Sequence, residues 1–493
     1  MKAHLKNWSC VLVLLVIGSV VMAQAQTFTI LHSFTLETNF PYGWNGDGAA
    51  PLAALITSGN TLYGTAEGGG TAGLGTVFAI QPRDGLRVLH NFTGQATTHD
   101  GSGPQARLIL TGNTLYGTTA GGGDWGKGTV FKVNTDGTDF KTLHSFTAPP
   151  IIPGTNGDGA VPLNGLVLSS NTLYGTTYAG GSWGNGTLFA VNIDGSGFTT
   201  LHNFIRESYS GNSGGDLLLW GNILYGTMPN GGLWTNGTIF AMNTDGTGFT
   251  NLYVFTQLNQ NTNSDGAYPD AALISYSGTL YGTTAGGGSG GSGTVFALNR
   301  DGTGFRTLHS FTPLLPSFTT PSGQSCCPTN SDGDYPVGAL VLSGNTLYGT
   351  TDNGGVWGGG TVFMVNIDGT GFTTLYSFGN SPTDAVVPFA GLVLMQNTLY
   401  GTTFDGGTFG SGTVFGVSFT PQLKIIASGG KALMTWPTDY AGFDYSGYAL
   451  QSTANLASPA WTTINLPAAV VLNGQYTVTN PISDAQQFFR LSQ

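Results

Sequence analysis

Side chains able to hold a ligand recur at fixed places in this sequence. Three residues before the glycine of a repeated Gly-Thr-x-Phe motif stand Trp125, Trp183, Trp234, Trp357 and Phe409, against Ala72 and Gly290 in two further copies. Flat aromatic rings of this kind serve as platforms for sugar rings when exposed, and as packing against a neighbouring repeat when buried. Carboxylates outside any repeated register are the candidates for acid and base chemistry: Glu67, Asp124, Glu207, Asp352 and Asp405. A glycosidase needs only two such groups roughly 5–10 Å apart, so spacing along the chain does not decide between a catalytic pair and solvated loop charge.

A second set of oxygens lies in segments that read Asp-Gly-x-x-Pro or close to it, at Asp47, Asp158 and Asp265 and again at Asp100, Asp332 and Asp384. Asn45/Asp47, Asn156/Asp158, Asn263/Asp265 and Asn330/Asp332/Asp334 have the alternate-residue spacing that opens a calcium loop, but no terminal Glu completes one. Asx-turns account for the same residues, so calcium is the only cofactor the sequence raises, and weakly. His32, His90, His144, His202 and His309 share one register with Tyr253 and Tyr376, which implies a structural role; His99 lies outside it. No Ser-His-acid set, CxxC pair, HExxH or P-loop is present.

The elements that carry these residues are set by repetition. Leu-Tyr-Gly-Thr begins at Leu62, Leu115, Leu173, Leu224, Leu280, Leu347 and Leu399, and Gly-Thr-(Val/Leu/Ile)-Phe follows each copy. The spacing of 51–67 residues is near the period of kelch-type propeller blades. Within a unit the apolar runs are four short strands; in the second they fall at Ala106 to Leu110, Thr114 to Thr119, Thr129 to Val133 and Phe140 to Phe146. Asp-Gly, the type I′ hairpin signal, precedes the fourth strand at Asp84, Asp136, Asp194, Asp245, Asp301 and Asp368. The seventh unit lacks this turn and strand. A spare fourth strand, Leu31-His32-Ser33-Phe34, stands instead at the N-terminus. The expected fold is therefore all-β: a seven-bladed propeller whose N-terminal strand, Thr27 to Phe34, closes the last blade beside Thr413 to Val417 and removes open edges. A linear solenoid would leave that strand unpaired.

Composition agrees. Eighty glycines and only 8% charged residues exclude a helical protein, and 12% aromatic residues exclude a disordered one. Lys2 and Lys6, an apolar stretch from Cys10 to Met22 and Ala23-Gln24-Ala25 predict a signal peptide over 1–25, hence secretion and no membrane span afterwards. Its removal leaves twelve basic against 25 acidic side chains, a charge poorly suited to nucleic acid. The surviving cysteines, Cys326 and Cys327, are adjacent; a strained vicinal disulfide, free thiols and pairing with another chain all stay open.

The Leu-Tyr-Gly-Thr-Thr, Gly-Gly-Gly and Gly-Thr-Val-Phe signature resembles the Gloeo-Verruco (GloVer) tandem repeat of secreted bacterial proteins over roughly residues 27–418. The resemblance implies a secreted repeat protein and no particular activity. From about Pro421 the pattern changes, and six short apolar runs predict a small immunoglobulin- or fibronectin-like sandwich over 420–493 with Trp436 and Trp461 as core anchors. These observations favour a secreted or cell-surface binding protein, without catalytic activity, for an extracellular polymer such as carbohydrate or for a surface protein. An extracellular polysaccharide hydrolase or lyase using the same face, and a purely structural surface component, are the alternatives.

Overall fold

The computed structural model describes residues 26–36, 43–94, 99–148, 155–205, 214–316, 328–381, 383–428, 431–455, 460–465, 468–481 and 487–492. The expected signal peptide, Glu207, Cys326 and Cys327 lie outside the described residues. Two compact units emerge: residues 26–419 with 439–446, and residues 420–438 with 447–493.

The first unit is all-β and propeller-like, built from antiparallel sheets of four strands. Among the described residues of 26–419 there are seven such sheets. The second sheet is typical: Ile109–Thr111 innermost, then Thr114–Thr119, Thr129–Asn134 and outermost Lys141–Ser145. The third strand is buried on both faces, as in Thr294–Asn299, because each sheet is covered by its neighbours. The two repeated motifs are halves of one contact. A Cβ on Gly117 would stand 2.7 Å from Phe131 Cζ and 2.8 Å from Leu108, so the glycine of Leu-Tyr-Gly-Thr exists to admit the ring of Gly-Thr-x-Phe.

Strand Gln26–Ser33 pairs antiparallel with Thr413–Phe419, from Gln26 opposite Phe419 to Ser33 opposite Thr413. Phe28 stacks on Tyr376 at 4.0 Å, as Phe140 does on His90 at 3.7 Å and Phe198 on His144 at 3.7 Å. The N-terminal strand thus supplies the ring that the seventh unit lacks. Last sheet meets first: Phe34, Leu55, Leu62 and Phe78 share a core with Tyr400 and Val414, and Thr402 donates a hydrogen bond to the Ala53 carbonyl.

The Asp-Gly connections differ from the expected type I′ turns. Gly137 has φ 89° whereas Asp136 does not share the positive φ, and Asn134 donates to Thr138 while Gly137 donates back to Asn134. This is a type I turn closed by a glycine bulge, in which Asp136 caps Thr138. A short hairpin, Asp439–Tyr440 with Phe443–Asp444, belongs to the first unit: Phe443 stacks on Phe419 at 4.7 Å, and buried Tyr445 donates to the Phe419 carbonyl. Packing therefore crosses the expected boundary at residue 420.

The second unit holds a four-stranded sheet, Lys424–Ser428, Lys431–Pro437, Gln475–Pro481 and Val470–Leu472, and a three-stranded one, Thr462–Thr463, Ala449–Thr453 and Phe488–Ser492. Met434, Trp436, Leu450 and Val478 form its core. Trp461 is only partly buried, with the Arg490 guanidinium 4.3 Å from its ring, rather than a core anchor.

Candidate functional site

Loops from the second to the third strand, and from the fourth strand to the next unit, leave the first unit at one end. The Asn-x-Asp-Gly segments organise that end. Asn156 Oδ1 accepts from Gly159 and Gly181, and its amide donates to the Thr147 and Gly159 carbonyls. Asp158 accepts from His144 Nε2 at 3.1 Å and from Thr147 N at 3.0 Å; Asp47 and Asp332 hold His32 and His309 in the same way. Tyr253 and Tyr376 donate to Asp265 and Asp384 where tyrosine replaces histidine. Burial would raise Asp47, Asp158 and Asp332, but hydrogen bonds from the histidine and threonine outweigh it and hold them below the usual carboxylate range. The oxygens with calcium-loop spacing are thus engaged by protein donors, and the repeated histidines tie one unit to the next.

The residue before proline in these segments sits at positive φ: Ala50, Gly103, Val161, Tyr268, Tyr335 and Val387, between 53° and 63°. For valine and tyrosine this is a strained backbone. It persists because the peptide is held from both sides. Val161 N donates to Lys127 of the preceding unit and its carbonyl accepts from Tyr178; Tyr335 N donates to Ser292 and its carbonyl accepts from Asp352.

The aromatic register is exposed. Trp125, Trp183, Trp234, Trp357 and Phe409 retain between 45% and 61% of their accessible surface, with Leu233 and Val356 exposed beside them. The glycine loops that carry them are tied down: Ser182 N donates to Asn203, Gly184 N to Gly181, and a Cβ on Gly181 would meet Thr187 at 2.7 Å. Trp183 therefore stands on a tight, tethered tip.

At the centre of the same end is a cavity of about 430 Å³, lined by segments preceding the innermost strands of all seven sheets. Tyr178, Tyr268, Tyr335 and Phe389 supply aromatic wall, and Gln105, Arg107, Asn164, Asp216, Asn230 and Asp270 supply polar groups. Below it lies a mostly aliphatic chamber of about 770 Å³, walled by residues such as Ile109, Leu168, Leu219 and Leu342. Arg107 and Asp216 line both chambers and pair at 3.1 Å, with Gly165 N donating to the other Asp216 oxygen.

Two of the singled-out acids touch residues of its wall without lining it themselves. Glu67 accepts from Gln105, and burial raises its pKa. Asp352 lies beside Tyr335; burial first, then the neighbouring Asp334, pushes it up to about 6, and its Oδ1 is buried with no hydrogen-bond partner. Burial also raises Asp270 and Asp334. Asp124 and Asp405 lie elsewhere: Asp124 pairs with His99 in an exposed side pocket with Lys141 and Thr142, and Asp405 accepts from Gly406 N in an outer loop. Among the described residues no group of three His, Cys, Asp or Glu is placed to hold a metal. Reading the residues one by one missed Asp270, Tyr268, Tyr335 and Phe389, because their register varies from unit to unit. Tabulating the positions on either side of each Asp-Gly-x-x-Pro proline would have found them.

The model of the Gloeobacter/Verrucomicrobia repeat matches residues 18–157 and 150–325, and the chain belongs to that family. Solved structures with some likeness include an oligogalacturonate lyase in complex with manganese (9% identity, 81% of this chain and 94% of that one, TM-score 0.45). An extracellular domain from B. thetaiotaomicron aligns at 12% identity over 87% of this chain and 48% of that one, with TM-score 0.42. A gluconolactonase from Xanthomonas campestris aligns at 16% identity over 62% and 82%, with TM-score 0.34. No curated protein matches the chain.

Proposed function

We propose that this chain is a secreted, seven-bladed β-propeller (26–419), released from a signal peptide (1–25) and followed by a small immunoglobulin- or fibronectin-like module (420–493), and that it binds extracellular carbohydrate on the face bearing the aromatic loops. The observation that carries this reading is the exposure of all five aromatics of one register, Trp125, Trp183, Trp234, Trp357 and Phe409, around a central polar and aromatic cavity. Exposed rings held on tethered tips present flat apolar faces at little conformational cost. A glycan array probed with the mature chain and with a Trp183→Ala, Trp234→Ala variant tests it. Binding by the wild type that falls in the variant supports the reading; no glycan bound by either removes it.

A second reading, hydrolysis or elimination at the same face, is favoured by Asp352, whose pKa of about 6 suits a general acid. It predicts products released from a bound polysaccharide, and loss of that release in Asp352→Asn.

A further inference from the structure

We propose that the two central chambers form one site for an acylated sugar, with the sugar in the upper, polar and aromatic chamber and the acyl chain in the lower, aliphatic one. The proposal rests on the carbohydrate reading and names the class of glycoconjugate.

The chambers meet at a neck. Ala54, Arg107, Asp216, Ala272 and Ala339 line both. The same register holds Gly165 in the third unit and Gly391 in the seventh, so five of the seven positions carry a methyl group or no side chain. Arg107 and Asp216 are the exceptions, and they pair with each other across the third unit. Arg107 Nε donates to Asp216 Oδ2 at 3.1 Å, and Gly165 N donates to Asp216 Oδ1. A Cβ on Gly165 would stand 2.9 Å from the Arg107 carbonyl oxygen and 2.9 Å from Asp216 Cγ, so glycine there makes room for the pair. Small residues thus keep the passage open, and a single neutral ion pair makes it polar on one side.

The wall changes character at this neck. In the lower chamber, of about 770 Å³, only Thr57 and Ser275 among the lining residues have polar side chains apart from the neck pair. Such a wall offers water few partners, whereas an alkyl chain gains about fourfold in affinity for each methylene it buries. In the upper chamber, of about 430 Å³, Tyr178, Tyr268, Tyr335 and Phe389 supply rings for the apolar face of a sugar, and Gln105, Asn164 and Asn230 supply donors and acceptors for hydroxyls. A ligand that fits both must be amphipathic, with its polar link between head and tail at Arg107. The Arg107 side chain keeps 40% of its surface, and among the described residues its two Nη groups have no acceptor. A neutral ester or amide carbonyl accepts from them; a carboxylate in the same place would lie against Asp216.

The test is calorimetric titration of the chain starting at Gln26, at pH 7, with N-octanoylglucosamine, N-butanoylglucosamine, octyl glucoside and octanoate, all as monomers. N-octanoylglucosamine should bind at least about tenfold tighter than the butanoyl compound, which has the shorter tail, and than octanoate, which has no sugar. Octyl glucoside, without the carbonyl, should bind at least about threefold more weakly than N-octanoylglucosamine. Ala272→Phe and Ala339→Leu, which fill the neck from two different units, should each bring the octanoyl and butanoyl compounds to within about threefold of one another, with near-UV circular dichroism unchanged. Equal binding of the two acyl lengths, octanoate or octyl glucoside binding as tightly as N-octanoylglucosamine, or a preference for the longer tail that survives in whichever neck variant keeps the native spectrum would overturn the proposal. Should glycans on the array still bind in that event, the carbohydrate reading stands without it; should no sugar bind, acylated or not, that reading falls as well.

Discussion

Phe34→Ala strikes the seam between the two ends of the repeat array. Phe34 is fully buried, its ring centroid is 5.4 Å from that of Phe78 in T-shaped contact, and its amide donates to the Gly412 carbonyl. One side of its pocket comes from the first unit (Leu55, Leu62, Ile80) and the other from the last (Tyr400, Val414). Truncating a fully buried phenylalanine typically costs about 3–5 kcal/mol. Phe146→Ala, at the same register inside the array and equally buried, is the control. Urea unfolding of chains starting at Gln26, followed by tryptophan fluorescence, should show both variants destabilised by comparable amounts. Deleting residues 26–34 should destabilise the chain further, because strand Thr413–Phe419 then loses its outer partner. A Phe34→Ala chain within about 1 kcal/mol of wild type, beside a destabilised Phe146→Ala chain, would refute closure through the N-terminal strand.

Gly117→Ala should destabilise by about 1–3 kcal/mol, since the added methyl overlaps Phe131, and Phe131→Leu in the same chain should recover part of the loss in the same urea assay. Asp47, Asp158 and Asp332 titrate below their unfolded values, so the stability they contribute is complete above the unfolded pKa near 4 and is lost as pH falls through their folded values. Midpoints measured from pH 6 to pH 2 should therefore drop steeply at the acid end, and less steeply in Asp158→Asn. Asp352 has the opposite sign: its folded pKa of about 6 exceeds the unfolded one, so stability declines as pH rises between about 4 and 6. Asp352→Asn should unfold at higher urea than wild type at pH 8, and no gain there would contradict the uncompensated charge.

Much of the architecture is legible in the residues alone, because repetition turns local chemistry into register. Phe28 precedes His32 by four positions, as Phe140 precedes His144, which marks the N-terminal segment as an outer strand before any coordinates are seen. The pairing of Gly117 with Phe131 is likewise written into two motifs that always occur together. Exposure was not legible. Whether Trp183 covers a neighbour or stands free depends on how Asn203 and Gly181 tether its loop, a contact between strands some twenty residues apart. The hairpin at 439–446 is hidden for a similar reason: it falls inside the expected module at 420–493, and only the structure puts Phe419 against Phe443 and Tyr445. The cavity lay furthest out of reach. Its wall takes Ala53, Arg107, Asp216, Asp270 and Ala390 from units hundreds of residues apart, and its character comes from the positions where those units differ. Periodic apolar residues determine strands and their order by themselves, since each needs only its neighbours; the environment of Asp270 depends on every unit meeting at the centre, and only the folded chain brings them together.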